Sequence, residues 1–153
     1  MPVPALESGL FRRLPCRLAY AVALFAAVAG GYAGAQTNHP VTLTVQAGGA
    51  PPLPAGTCTT QHGFVICVSE DPIDLTNDVE PVIITWKLTS TDWSFNKNKG
   101  IVIKKGKWKI SEKSGAEYAA TQKKDGLIYK YTINLTNGAG GTTLSWDPTI
   151  KNN

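Results

Sequence analysis

Apolar and polar positions alternate in short runs along most of this chain, and turn residues break the runs too often for helices to compete. Val41, Leu43 and Val45 alternate with threonines and predict a first strand. The stretch Gly48-Gly49-Ala50-Pro51-Pro52-Leu53-Pro54-Ala55-Gly56 follows. It can hold neither helix nor strand, because its prolines lack donors and its glycines add freedom. It predicts a loop over 48–56 that crosses between two sheets. Thr57 to Val68 then folds about His62-Gly63 as a tight hairpin. Counting outward pairs Gln61 with Phe64, Thr60 with Val65, Thr59 with Ile66 and Cys58 with Cys67. In a two-residue hairpin the closing pair is hydrogen-bonded and the pairs alternate, so the two cysteines form a close, non-hydrogen-bonded pair within disulfide reach.

Farther on, Val82, Ile84, Trp86 and Leu88 share one face of a half-buried strand, and Trp93 and Phe95 fall in or beside the next loop. Asn96-Lys97-Asn98-Lys99-Gly100 turns the chain into Ile101-Val102-Ile103. A second hairpin is predicted about Lys105-Gly106. It would pair Ile103 with Trp108 and Ile101 with Ile110 inward, and leave Lys104 opposite Lys107 outside. Residues 116–121 read as a further strand. Leu127, Tyr129, Tyr131, Ile133 and Leu135 then alternate with Lys130, Thr132, Asn134 and Thr136. Thr142 to Trp146 reads as the last strand, before Asp147-Pro148. Seven to nine short strands with turns every eight to twelve residues predict an all-β, immunoglobulin-like β-sandwich, with a small β-barrel as the alternative.

The first 35 residues break this pattern. Arg12, Arg13 and Arg17 precede an apolar run from Leu18 to Ala29, about twelve residues long, against roughly twenty for a membrane span. Ala33 and Ala35 flank Gly34 in a small-residue cleavage pattern. Residues 1–35 therefore read as a signal peptide cut between Ala35 and Gln36, and 36–153 as a single domain with no stable membrane anchor.

That reading changes the charge. All three arginines and Cys16 leave with the signal, and the remainder holds twelve lysines and ten acids, a net +2. So mild a balance without arginine does not read as a nucleic-acid surface. Cys58 and Cys67 remain as an even pair, and a chain bound for the periplasm or outside makes them a disulfide. The charge is divided along the chain. Residues 36–92 hold six acids and one lysine, whereas 93–153 hold eleven lysines and four acids.

Catalytic and metal signatures are sparse. His39 and His62 are the histidines, both beside turn residues, and two cysteines nine apart with them match no zinc-ligand spacing. A blue-copper site would need a free cysteine, and usually a methionine. Glu70, Asp71, Asp74, Asp78 and Glu80 could bind calcium or supply a hydrolase's acid pair, though their spacing matches no EF-hand loop. No cofactor is implied. Lys104, Lys105, Lys107 and Lys109 form a positive tip that can favour anionic partners or guard a sheet edge from aggregation.

Trp86-Lys87-Leu88, Gly100-Ile101-Val102-Ile103, Tyr129-Lys130-Tyr131-Thr132-Ile133 and Asp147-Pro148-Thr149-Ile150-Lys151-Asn152 resemble a pattern in small uncharacterised exported proteins of proteobacteria. That resemblance implies export and no activity. Ser114-Gly115-Ala116-Glu117-Tyr118 resembles the Ser-Gly-x-x-Tyr stretch of bacterial periplasmic inhibitors of C-type lysozyme. The leading expectation is a non-catalytic exported β-sandwich that binds a partner protein or anionic envelope polymer. The alternatives are a lysozyme inhibitor and a small envelope hydrolase using the acidic loop 70–80.

Overall fold

The computed structural model describes residues 36–48, 56–138 and 141–153. The expected signal segment, Ala35 on one side of its cleavage junction, and the interior of the Gly/Pro loop lie outside the described residues.

Two six-stranded sheets form a β-sandwich, not closed into a barrel. Twelve strand segments occur among the described residues: β1 (Asn38–Ala47), β2 (Thr57–Gln61), β3 (Phe64–Val68), β4 (Ile73–Asp74), β5 (Val82–Leu88), β6 (Trp93–Phe95), β7 (Ile101–Ile103), β8 (Lys109–Ser114), β9 (Glu117–Gln122), β10 (Leu127–Asn137), β11 (Thr143–Trp146) and β12 (Thr149–Asn152). The first sheet runs β2-β3-β1-β5-β9-β8. Its pairs are antiparallel except β1 with β5.

The second sheet is built around β10. β11 and β12 keep one antiparallel register along one edge of it, Ile133 opposite Trp146 and Tyr129 opposite Ile150. They are one strand interrupted at Asp147-Pro148, where proline has no N–H to give to the ladder. β7 and β6 divide the other edge, and Asn96 to Gly100 bulges out between them. β4 lies parallel to β12. These interruptions, with the two-residue β4, raise the count of segments above seven to nine.

Most of the predicted inward positions form the core, whereas Ile110 and Leu127, read as inward, are exposed. Val41, Leu43, Val45, Val82, Ile84, Trp86, Leu88, Tyr129, Tyr131, Ile133 and Leu135 are all buried. Three aromatic pairs join the sheets: Phe64 with Trp93 at 4.9 Å, Trp86 with Tyr131 at 5.3 Å and Phe95 with Tyr118 at 5.0 Å between ring centroids. Such tilted or edge-on pairs add about 0.5–1.5 kcal/mol each beyond the area they bury.

The first hairpin has the expected register, with Cys58 opposite Cys67. The two are joined by a disulfide at a Cα–Cα distance of 4.1 Å. His62 and Gly63 both take positive φ, 50° and 79°, as the tight turn that matches strand twist requires.

Three expectations are corrected. β1 and β2 belong to the same sheet with β3 between them, so the chain does not change sheets between them. The segment beside Gln36, expected to be mobile because His39 and Pro40 fall so near a cleaved N-terminus, is held in the sheet, with Asn38 opposite Ile83 and the Ile83 N–H donating to the Thr37 carbonyl. No hairpin forms about Lys105-Gly106. β7 pairs with β10 and β8 pairs with β9, so residues 104–108 carry the chain from one sheet to the other.

Candidate functional site: a lysine-rimmed hollow

Losing the hairpin removes the pairing of Lys104 with Lys107 but not the exposed lysines, because all of Lys104, Lys105, Lys107 and Lys109 face solvent. The crossover that carries the first three is pinned. Gly106 has φ 85° and lies against the Tyr129 ring, where a Cβ would stand 2.7 Å from the ring edge. A side chain there would be both strained and overpacked. The Lys107 N–H donates to Gln122 Oε1 at 2.9 Å, and Trp108 stands edge-on to Tyr129 at 5.6 Å. Lys109 lies apart, opposite Thr121 at the start of β8.

Two hollows adjoin this crossover. One, of about 340 Å³, is lined by Lys104, Lys105, Ile128, Tyr129, Lys130, Thr132 and Asp147. The other, of about 720 Å³, is lined by Lys105, Gly106, Lys107, Gln122, Lys123, Lys124, Asp125, Leu127, Ile128 and Tyr129. They share Lys105, Ile128 and Tyr129, so six lysines surround one continuous surface. Leu127 and Ile128, exposed to 55% and 67%, belong to it.

The turn that presents them is held from below. Asn152, fully buried, donates to the Lys123 carbonyl and to Asp125 Oδ1, both at 3.0 Å. Its own carbonyl accepts the Gly126 N–H at 2.9 Å. Asp125 also accepts from the Tyr129 hydroxyl, from Gln122 Nε2 and from the Leu127 N–H. Burial works upward on the Asp125 pKa, yet these four donors outweigh it and hold the carboxyl below its usual range. Its negative charge is therefore already engaged within the turn. Asp147, the second carboxylate on the surface, accepts from the Thr132 hydroxyl at 2.6 Å. Lys124 leans toward the acidic loop, its Nζ donating to the Thr76 carbonyl and its N–H to Glu80.

The acidic cluster has a different design. His39, on β1, places Nδ1 2.8 Å from Asp78 Oδ2 and Nε2 2.7 Å from Glu70 Oε2. Carboxylates only accept, so satisfying both calls for two N–H groups and hence the imidazolium. Burial lowers the His39 pKa, but the two hydrogen bonds and the two negative charges exceed it, and the net shift is upward. The other carboxylates hold backbone. Glu70 Oε1 takes the Asp74 N–H, Asp74 takes the Thr76 N–H and hydroxyl, and Asp71 takes the Thr149 N–H. Among the described residues, no group of three His, Cys, Asp or Glu side chains is arranged to hold a metal ion.

In the Ser114-to-Tyr118 string, Ser114 and Gly115 are exposed at the β8–β9 turn. Tyr118 is buried, its hydroxyl 2.8 Å from Glu112.

Sequence reasoning missed the His39 bridge, whose partners lie 31 and 39 residues away. It also missed Lys123, Lys124, Leu127, Ile128 and Lys130 as neighbours of the crossover lysines. An apolar pair directly after Lys123-Lys124-Asp125-Gly126 was the available signal. It was absorbed into the alternation of the following strand.

Fold and surface together define a disulfide-bridged β-sandwich with a cationic, partly apolar face. The chain matches no protein-family model and no curated protein sequence.

Proposed function

We propose that this chain is exported, cut before Gln36, and acts in the periplasm or outside the cell as a non-catalytic binding module for an anionic partner, through its lysine-rimmed face. The observation that carries this reading is six lysines from three separate segments around two adjoining hollows whose carboxylates, Asp125 and Asp147, are both engaged in hydrogen bonds. Solubility alone does not need cations gathered on a crossover pinned by Gly106, Lys107 N–H and Trp108. A Cys58–Cys67 disulfide suits an oxidising compartment. Among the described residues no helix is long and apolar enough to cross a membrane.

The test is retention of the mature domain on a sulfated polysaccharide at low ionic strength, where screening is weakest. Retention should fall steadily with salt. Changing Lys104, Lys105 and Lys107 together to Gln should weaken it by roughly tenfold or more, since exposed charges near an anionic surface contribute about 1 kcal/mol each. Undiminished binding by the triple variant, with the same salt dependence, would place the interaction elsewhere. Intact-mass measurement of the exported protein should find Gln36 at its N-terminus. Retention of Leu18 to Ala29 would overturn the cleavage.

A further inference from the structure

Four large apolar side chains are well exposed among the described residues: Val79, Ile110, Leu127 and Ile128. Val79 lies between Asp78 and Glu80, and Ile110 stands singly on the edge strand β8. Leu127 and Ile128 are consecutive at the start of β10, and both line the larger hollow. This pair shares its hollows with lysines. Their turn is held to β12 by Asn152, so they stand out from a fixed support.

We infer that this face docks on an anionic lipid bilayer, Leu127 and Ile128 entering the boundary between headgroups and acyl chains while the surrounding lysines meet the lipid phosphates. The inference rests on the anionic-partner reading above and names its occupant. Charge complementarity supplies one half of the argument. Lys104, Lys105 and Lys107 come from the crossover, Lys123 and Lys124 from the turn and Lys130 from β10, so three segments bring cations to the hollows that the apolar pair also lines. Exposed apolar area supplies the other half. A soluble acidic glycan offers nothing to cover an isoleucine two-thirds exposed, whereas a bilayer accepts apolar tips and anchored cations together. Lysine stems can lie along the apolar boundary while their ammonium groups stay at headgroup level. The contact is interfacial and reversible, since two side chains do not amount to a spanning segment.

The experiment compares the mature domain with the double variant Leu127→Ser/Ile128→Ser. Co-sedimentation is measured with vesicles of phosphatidylglycerol and phosphatidylcholine and with vesicles of phosphatidylcholine alone, and retention is measured on dextran sulfate. Wild type should bind the anionic vesicles and not the zwitterionic ones. The double variant should lose roughly tenfold or more of its vesicle partitioning, the effect of withdrawing buried apolar area from two side chains, while binding dextran sulfate as wild type does. Both positions are exposed, so the variant's denaturant midpoint should match wild type and separate a binding defect from misfolding. Binding to dextran sulfate without binding to anionic vesicles would overturn the bilayer inference and leave the anionic-partner reading standing. So would vesicle binding unchanged by the two serines, or equal binding to phosphatidylcholine alone. Failure on both anionic surfaces at low salt would overturn both.

Discussion

Tyr118 and Tyr131 are both buried in the core, yet their hydroxyls meet opposite surroundings. Tyr118 Oη accepts the Gly100 N–H at 3.2 Å and lies 2.8 Å from Glu112 Oε2 and 3.1 Å from the Asn96 carbonyl, sharing its proton between the two acceptors. Tyr131 Oη and the neighbouring Trp86 Nε1 find no hydrogen bond of normal geometry among the described residues. Burial holds the Tyr131 pKa far above its ordinary range, with the Trp86 N–H pulling the other way. Deleting a satisfied hydroxyl bonded to a charged group strands its partners, whereas deleting an unsatisfied one removes a desolvation cost. Tyr118→Phe should therefore cost about 1.5–3 kcal/mol, and Tyr131→Phe should be neutral within about 1 kcal/mol or stabilising. Urea midpoints of the two variants decide it, and equal losses would contradict the contrast. His39 gives a pH dependence with a definite sign. Its folded pKa is raised above the ordinary 6.5, so its contribution is fully present below about pH 6.5 and is lost as pH rises through the folded value. Wild-type stability should step down on that rise. His39→Gln should lack the step and be the less stable protein at lower pH. A wild-type profile flat through this range would show that the two carboxylates do not hold the imidazolium.

At the scale of elements, two Gly-centred turns behaved differently for a physical reason. His62-Gly63 joins two runs that pair with each other, with β1 taking the far edge of β3, and the local turn fixes their register down to Cys58 opposite Cys67. Lys105-Gly106 carries as strong a turn signal, but Ile101 and Ile103 find their partners on β10 and Ile110 finds Ala120 on β9. Turn chemistry is local and legible, while the choice of sheet depends on contacts far along the chain. The same limit hid β12, whose Ile150 looks like an isolated apolar residue after Asp147-Pro148 and is fully buried beside Tyr129. Of the candidate surface, the crossover lysines could be read from the sequence. The turn lysines and the apolar pair could not be joined to them without knowing that the crossover packs on Tyr129. Replacing both Cys58 and Cys67 by Ser should cost about 2–3 kcal/mol, the chain-entropy value for so short a loop. Gly106→Ala should cost about 1–3 kcal/mol through overpacking and positive φ. Because Tyr129 lies beneath Gly106, that variant should also weaken retention on a polyanion although no charge has changed. Unaltered retention with lowered stability would mean that the crossover's conformation does not set the binding surface.

Across the whole molecule, the division of charge along the chain is not consumed in ion pairs. Residues 36–92 carry a net −5 and 93–153 a net +7. Among the described residues, one lysine lies within 4.0 Å of a carboxylate, Lys151 with Asp74 at 3.7 Å. That pair is well exposed on both sides, and such pairs contribute little. The sandwich is held instead by the apolar core between its sheets, by the His39 bridge, which is largely shielded, and by the disulfide. Salt should therefore act on the two properties of this protein very unequally. Raising ionic strength from about 0.01 M to about 1 M shortens the screening length from roughly 30 Å to roughly 3 Å. A surface that attracts through lysines loses its reach over that range, so retention on a polyanion should fall by orders of magnitude. The urea midpoint should move by the equivalent of no more than about 1 kcal/mol, because screening finds few exposed attractions to remove. Sodium chloride is the proper salt for this comparison, since sulfate would strengthen apolar burial on its own account. A large loss of stability with sodium chloride would show that the two oppositely charged halves hold the fold together, leaving less of their charge for a partner. Unchanged stability with salt-sensitive retention is the expected result, and it would assign the surplus of lysines to the surface's encounters and not to the fold.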